Sequence, residues 1–179
     1  MDKIYLIGFM GSGKTSTGKK LAKKLEYKFI DLDNEIEKAV NCLVTEYFDK
    51  FGEERFRKIE NQILKETFDY SKTVISTGGG TPCFYNNINL INNNGISIYL
   101  KADVKLLTNR LINAKKIRPL IKNKSKQELE IYIENLLKKR NNFYDKANLI
   151  MNAKSVNVND IVTAVLKNAQ KNHVRLIDL

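Results

Sequence analysis

Ile4-Tyr5-Leu6-Ile7-Gly8-Phe9-Met10-Gly11-Ser12-Gly13-Lys14-Thr15 is the stretch that decides how this chain folds. Its first four residues are apolar on both faces, as a central strand of a parallel sheet must be. The next eight fit G-x-x-x-x-G-K-[ST], the phosphate-binding loop, and a helical pattern follows as that motif requires. Glycines let the backbone wrap a polyphosphate, so that successive N–H groups and the next helix N-terminus point at it. Lys14 is placed to reach the β- and γ-phosphates, and the Thr15 hydroxyl to ligate magnesium. With glycine near 7% of residues, four fixed positions coincide by accident in roughly one per cent or less of chains this long. The chain is read as binding a nucleoside triphosphate.

Outward from the loop, helix and strand alternate to the end, with no repeat and no linker. A helix over 14–25 puts Gly18, Leu21, Ala22 and Leu25 on one face. Phe29-Ile30-Asp31 reads as a short strand ending in Asp31-Leu32-Asp33. Short helices are expected over 34–40 and 45–51, then a longer one over about 52–70 carrying Phe56, Ile59, Ile63 and Leu64. A strand over 73–77 runs into Gly78-Gly79-Gly80, followed by a short helix near 87–93 and a strand over 96–100. Asp103 caps a helix bearing Val104, Leu107 and Leu111. Residues 113–125 break periodicity and read as an exposed loop. Helix 126–141, strand 148–152 and a final amphipathic helix with Val158, Ile161, Val165 and Ala169 complete the pattern.

Such alternation predicts an α/β fold, an open parallel sheet of about five strands with helices on both faces. One domain over 1–172 is expected, leaving a tail, 173–179, that reads equally as a packing segment or a frayed end. Ligands in these folds sit at the carboxyl ends of the strands. Asp31, Asp33 and Gly78–Gly80 all fall there, on the same edge as the phosphate loop, which predicts a single site.

Composition narrows the class. At 179 residues with 42% hydrophobic and 28% charged, the chain is an ordinary globular one. No apolar stretch approaches the ~20 residues that span a bilayer, and no signal peptide precedes the loop. Cys42 and Cys83 fit no metal-ligand spacing, so both thiols are expected free in a reducing, cytoplasmic setting. The net charge of +11 comes from lysines scattered among Asn and Ile, without a basic stripe or aromatic platform. It is read as solvated surface rather than a nucleic-acid footprint. Arginine is scarce: Arg55, Arg57, Arg110, Arg118, Arg140 and Arg175 among 31 basic residues. Each is a candidate for a bidentate contact that lysine cannot supply.

Asp31 and Asp33 flank Leu32, so on an extended segment they share a face towards the cleft. One can help hold magnesium while the other takes or orients the acceptor hydroxyl's proton; a strand end plus a helix cap is the alternative. The glycine triplet brings bare backbone against a substrate or a neighbouring helix. Arg57, with Glu53 four residues before it and Glu60 three after, taken alone reads as a helix-surface ion pair.

Together these features have a match. L-I-G-F-M-G-S-G-K-T at 6–15, F-I-D-L-D-x-x-I-E at 29–37, F-R-x-I-E at 56–60, S-T-G-G-G at 76–80, R-P-L at 118–120 and R-x-x-x-Y at 140–144 closely resemble shikimate kinase in order and spacing. The resemblance spans about residues 1–152. It implies a P-loop kinase fold with a mobile lid over 113–125, and transfer of the γ-phosphate of ATP to the 3-hydroxyl of shikimate, a step towards aromatic amino acids. By similarity, Gly11, Ser12, Gly13, Lys14, Thr15 and Ser16 cradle ATP, and Thr15 with Asp31 serves Mg2+. Asp33 binds substrate hydroxyls and acts as base. Arg57 and Arg140 clamp the shikimate carboxylate, and Gly79 and Gly80 approach the ring. Arg118 swings in on the lid against the transferring phosphoryl group, and Arg110 lies near the adenine or the lid base. A monomer without nucleic-acid or membrane partners is the expected state. One departure stands out: the family usually has R-x-P-x-Y, whereas this chain has Asn142 at the proline position.

Three other classes compete with this reading. A gluconate or nucleotide kinase lacks the ring carboxylate that two separated arginines suit, or needs a base-stacking pocket. For a GTPase switch, Asp49-Lys50-Phe51-Gly52 matches D-x-x-G, but Asn123-Lys124 is followed by Ser125-Lys126 rather than the guanine motif. A basic nucleic-acid binder predicts steep salt dependence.

Overall fold

The computed structural model describes residues 3–114, 121 and 123–177, with side chains to residue 170. Five strands, β1 (Lys3–Ile7), β2 (Lys28–Asp31), β3 (Thr73–Ser76), β4 (Ile96–Lys101) and β5 (Leu149–Asn152), pair in parallel in the order β2-β3-β1-β4-β5. The central strand is the one that enters the phosphate loop. Thr77 extends its contact with β3, donating both its N–H and its hydroxyl to the Leu6 carbonyl at 3.1 Å.

Side chains alternate across the sheet, and each face supports its own apolar cluster. Ile4, Leu6, Val74 and Ile98 belong to the larger one, with Leu21 and Ala22 of α1 (Lys14–Leu25) and residues of the C-terminal helices. Tyr5 and Ile75 face the other way, onto Leu32 and Ile36 of α2 (Leu32–Val40), Phe56, Ile63 and Leu64 of α3 (Val44–Glu66), and Ile91 of α4 (Asn87–Asn94). The Tyr5 hydroxyl, buried among these, is satisfied by Thr67 at 3.0 Å. The two helices expected over 45–51 and 52–70 are the two arms of α3, which breaks at Gly52 (φ 76°, ψ 171°), a conformation a side chain would strain.

Three boundaries differ from the sequence reading. Helix α2 starts at Leu32 rather than 34, because the Asp31 carboxylate accepts from the Asp33 N–H at 3.3 Å and caps it there. Asp33 therefore stands in the first turn of a helix and not on an extended segment. α5 (Val104–Ile112) begins after the Asp103 cap as expected. α6 (Lys126–Tyr144) runs three residues past 141, so Arg140 lies inside its last turns and Asn142 within the helix. A Ser125–Glu128 capping box starts it, with bonds of 3.2 and 2.7 Å. α7 (Val158–Ile177) carries the helix through most of the segment read as a tail. Residues 115–120 and 122 of the expected lid lie outside the described residues.

Candidate active site

The phosphate loop turns from β1 into α1 through Gly13, which caps the helix with φ 99°. No acidic residue occupies the first turn of α1, leaving its positive end open to an anion. Lys14, 8% exposed, folds back over the loop and donates to the Gly8 and Phe9 carbonyls at 2.8 and 3.1 Å. Its ammonium thus already sits inside the turn that a phosphate would enter. The Ser12 hydroxyl is buried without a hydrogen-bond partner among the described residues, which suits a site that gains a ligand oxygen.

Arg110 reaches the loop from α5. It donates to the carbonyls of Gly11 (3.2 Å), Ser12 (3.0 Å) and Ala153 (2.9 Å), tying the loop to the segment after β5. Beside it opens a cavity of about 390 Å³ lined by Gly11, Gly13, Ser16, Arg110, Lys154 and Val156. Arg110, expected near the adenine or the lid base, braces the loop beside this cavity.

The carboxyl end of β2 supplies the oxygen pair for a cation. Thr15 donates to Asp31 at 2.8 Å, and the Ser76 hydroxyl at the end of β3 stands 3.5 Å from that of Thr15. Asp31 and Ser76 are register partners, so the sheet itself brings them together. No cluster of three or more acidic, histidine or cysteine residues occurs among the described residues. The Thr15 and Asp31 oxygens could hold magnesium, which takes one or two protein oxygens and completes its shell with phosphates and water.

A second set of charged side chains gathers on the glycine triplet. A Cβ on Gly78 would fall 2.9 Å from Glu60 Oε1 and 3.1 Å from Asp33 Oδ1, so both carboxylates converge there. Arg57, 8% exposed, binds Glu60 at 2.8 Å and Glu53 at 3.1 and 3.2 Å, and its guanidinium lies over the Phe84 ring at 4.3 Å. This is a buried pair and not the helix-surface bridge that spacing alone suggests. Glu60 also accepts from the Thr81 hydroxyl at 2.6 Å, and Asn87 donates to the Thr81 carbonyl at 2.9 Å. At Gly80 the space a side chain would fill is taken by arginine: its Cβ would come within 2.5 Å of Arg57 Nη2.

Arg140 approaches the neighbouring glycine, Gly79. Its guanidinium lies 5.6 Å over the Phe9 ring and 3.4 Å from where a Gly79 Cβ would sit. The same point on Gly79 is 3.4 Å from the Met10 nitrogen in the phosphate loop. The glycine triplet is therefore a bare wall, its missing side chains leaving room for Arg57 at Gly80 and for Arg140 and the phosphate loop together at Gly79. Cys83 sits just past it, and burial pushes its thiol up to about 11, which argues for packing rather than reactivity. Arg118 lies outside the described residues.

This cleft is that of a known group. The family model for shikimate kinase matches residues 10–170. The chain belongs to the shikimate kinase family. The shikimate kinase of Azobacteroides pseudotrichonymphae genomovar. CFP2 is 48% identical over 163 residues, covering 90% of this chain and 96% of that one. Among solved structures, a shikimate kinase from Bacteroides thetaiotaomicron superposes with a TM-score of 0.85 at 38% identity, covering 99% of both chains. One from Acinetobacter baumannii, in complex with shikimate, gives 0.82 at 32% identity over 96% of this chain and 94% of that one.

Within the shikimate kinase frame, sequence reasoning named the nucleotide loop, the carboxylate pair and the arginines. It did not name Ser76, Thr81, Asn87 or Tyr144 as parts of the site. Ser76 stood in the quoted S-T-G-G-G run and Tyr144 in R-x-x-x-Y, without a role; Thr81 and Asn87 become visible only through the hydrogen bonds they make. At Asn142 this chain continues its helix to Tyr144, so α6 itself carries Arg140.

Proposed function

We propose that this chain transfers the γ-phosphoryl group of ATP to the 3-hydroxyl of shikimate, a step towards aromatic amino acids. The observation that carries the reading is the position of Gly79, whose missing side chain leaves a point 3.4 Å from both Arg140 Nη1 and the Met10 nitrogen of the phosphate loop. An acceptor held by Arg57 and Arg140 then lies within reach of a nucleotide's terminal phosphate.

The catalysis is positioning plus electrostatics. Gly11 to Ser16 hold the phosphates, and Lys14 exchanges its two loop carbonyls for phosphate oxygens. Thr15 and Asp31 would hold magnesium, which when bound neutralises charge on the phosphates. Arg57 and Arg140 bind the ring carboxylate and fix the acceptor's orientation. Asp33 accepts the proton of the 3-hydroxyl as its oxygen bonds to the γ-phosphorus and the bond to the β–γ bridging oxygen breaks, leaving ADP. Arg118, by the R-P-L resemblance, counters charge on the moving group. The protein acts as a cytoplasmic monomer; among its described residues no helix is long and apolar enough to cross a membrane.

A coupled ADP-release assay with a panel of acceptors tests this. Rapid turnover is expected with shikimate and background turnover with gluconate or nucleoside monophosphates. Preference for either rival would overturn the assignment.

A further inference from the structure

Tyr144 closes α6 and is fully buried. A phenol taken out of water needs a partner for its hydroxyl, and this one donates to the Gly79 carbonyl. Its ring packs on Tyr99 with centroids 5.0 Å apart, and Tyr99 is the register partner of Ile7 at the mouth of the phosphate loop. One helical turn before Tyr144, Arg140 places its guanidinium 3.4 Å from the Gly79 Cβ position. The other neighbours of that position are the Met10 nitrogen at 3.4 Å and the Gly8 oxygen at 3.6 Å. Gly79 has no side chain with which to anchor itself, and no other hydrogen bond to its carbonyl is found among the described residues.

We infer that Tyr144 is a positioning residue for phosphoryl transfer: by holding the Gly79 carbonyl it fixes the spacing between the Arg140 clamp and the phosphate loop. It touches neither substrate and acts through Gly79 and Arg140. The inference rests on the shikimate kinase reading above. Burial holds the phenol's titration well above its ordinary range, with the nearby Arg140 charge pulling weakly the other way. The donor hydrogen is therefore retained across the working pH range. Tyr99, whose hydroxyl makes only a long 3.4 Å contact with Asn141, supplies the control from the same aromatic pair.

Steady-state kinetics of Tyr144→Phe, varying shikimate and ATP separately, test the role. Loss of one buried hydrogen bond predicts a shikimate KM raised roughly fivefold to twentyfold. The KM for ATP should stay within about twofold, and Tyr99→Phe should behave like the parent. In an Arg140→Ala background the Tyr144→Phe effect should largely vanish, because both act on one contact. Should Tyr144→Phe not fold, 3-fluorotyrosine at position 144 preserves the ring and alters only the donor strength; a shikimate KM that moves while that for ATP does not supports the role. An unmoved shikimate KM, proportional changes for both substrates, or full additivity with Arg140→Ala would overturn it while leaving wild-type shikimate turnover intact. Absence of that wild-type turnover would instead remove the acceptor assignment, and this inference with it.

Discussion

Arg57 and Glu60 meet at 2.8 Å one turn apart on α3, with 8% and 1% of their surfaces exposed. Two charges this deep are held by each other, by Glu53 and by Thr81, and removing either partner leaves the other stranded. Arg57→Ala should therefore cost about 3–5 kcal/mol of stability and raise the shikimate KM strongly while sparing that for ATP. Thermal unfolding beside two-substrate kinetics checks both. A folded variant with unchanged shikimate saturation would remove Arg57 from the clamp.

Gly80→Ala attacks the same arginine without touching its charge. The added Cβ would lie 2.5 Å from Nη2, so the guanidinium must move. Weaker shikimate binding with intact nucleotide binding is expected by calorimetry. Equal affinity would mean that Arg57 tolerates displacement.

Asp33→Asn preserves shape next to Gly78 and removes the proton acceptor. Transfer should fall by at least about 10², while ATP affinity changes little. Single-turnover phosphoryl transfer and equilibrium nucleotide binding separate the two, and wild-type-like turnover would exclude the base role.

The Thr15–Asp31 contact at 2.8 Å predicts how the enzyme depends on metal. Chelation should abolish ADP formation and added Mg2+ restore it. Asp31→Asn should raise the Mg2+ concentration giving half-maximal rate, and Thr15→Ser should stay closer to the parent than Thr15→Val. An Asp31→Asn titration that overlays the parent would place the metal elsewhere.

Alkaline pH should loosen the fold. Burial raises the Cys83 thiol to about 11 and the Tyr5 and Tyr99 phenols to about 12, above the 9.0 and 10.0 of unfolded chains. The folded state thus favours their protonated forms. The stability they contribute is complete below about pH 9 and is lost as pH rises through 11 and 12. Melting temperature measured from pH 7 to 11 should hold and then fall, and Cys83 should label slowly with alkylating agents at pH 8. A melting temperature rising above pH 9 would contradict the burial of these groups.

Much of this was legible in the chain, for physical reasons. The phosphate loop is written as consecutive residues because one turn of backbone makes it, and apolar runs such as Ile4–Ile7 announce a strand buried on both faces. Asp33 was found but misplaced onto an extended segment, since whether an aspartate caps or continues a strand depends on which N–H it meets. Arg57 reads as a surface residue from spacing because helical periodicity cannot say which face another element covers. Two partners of the glycine triplet, Glu60 and Tyr144, lie up to sixty-five residues from it in sequence. Chain folding alone brings them to it, and no local pattern encodes that.

The most direct measurement is a crystal structure with shikimate and a non-hydrolysable ATP analogue bound together. The shikimate carboxylate should lie within hydrogen-bond reach of Arg57 and Arg140, with the 3-hydroxyl between Asp33 and the γ-phosphate. Shikimate bound away from the Gly78–Gly80 wall, or its carboxylate turned from both guanidiniums, would contradict the account.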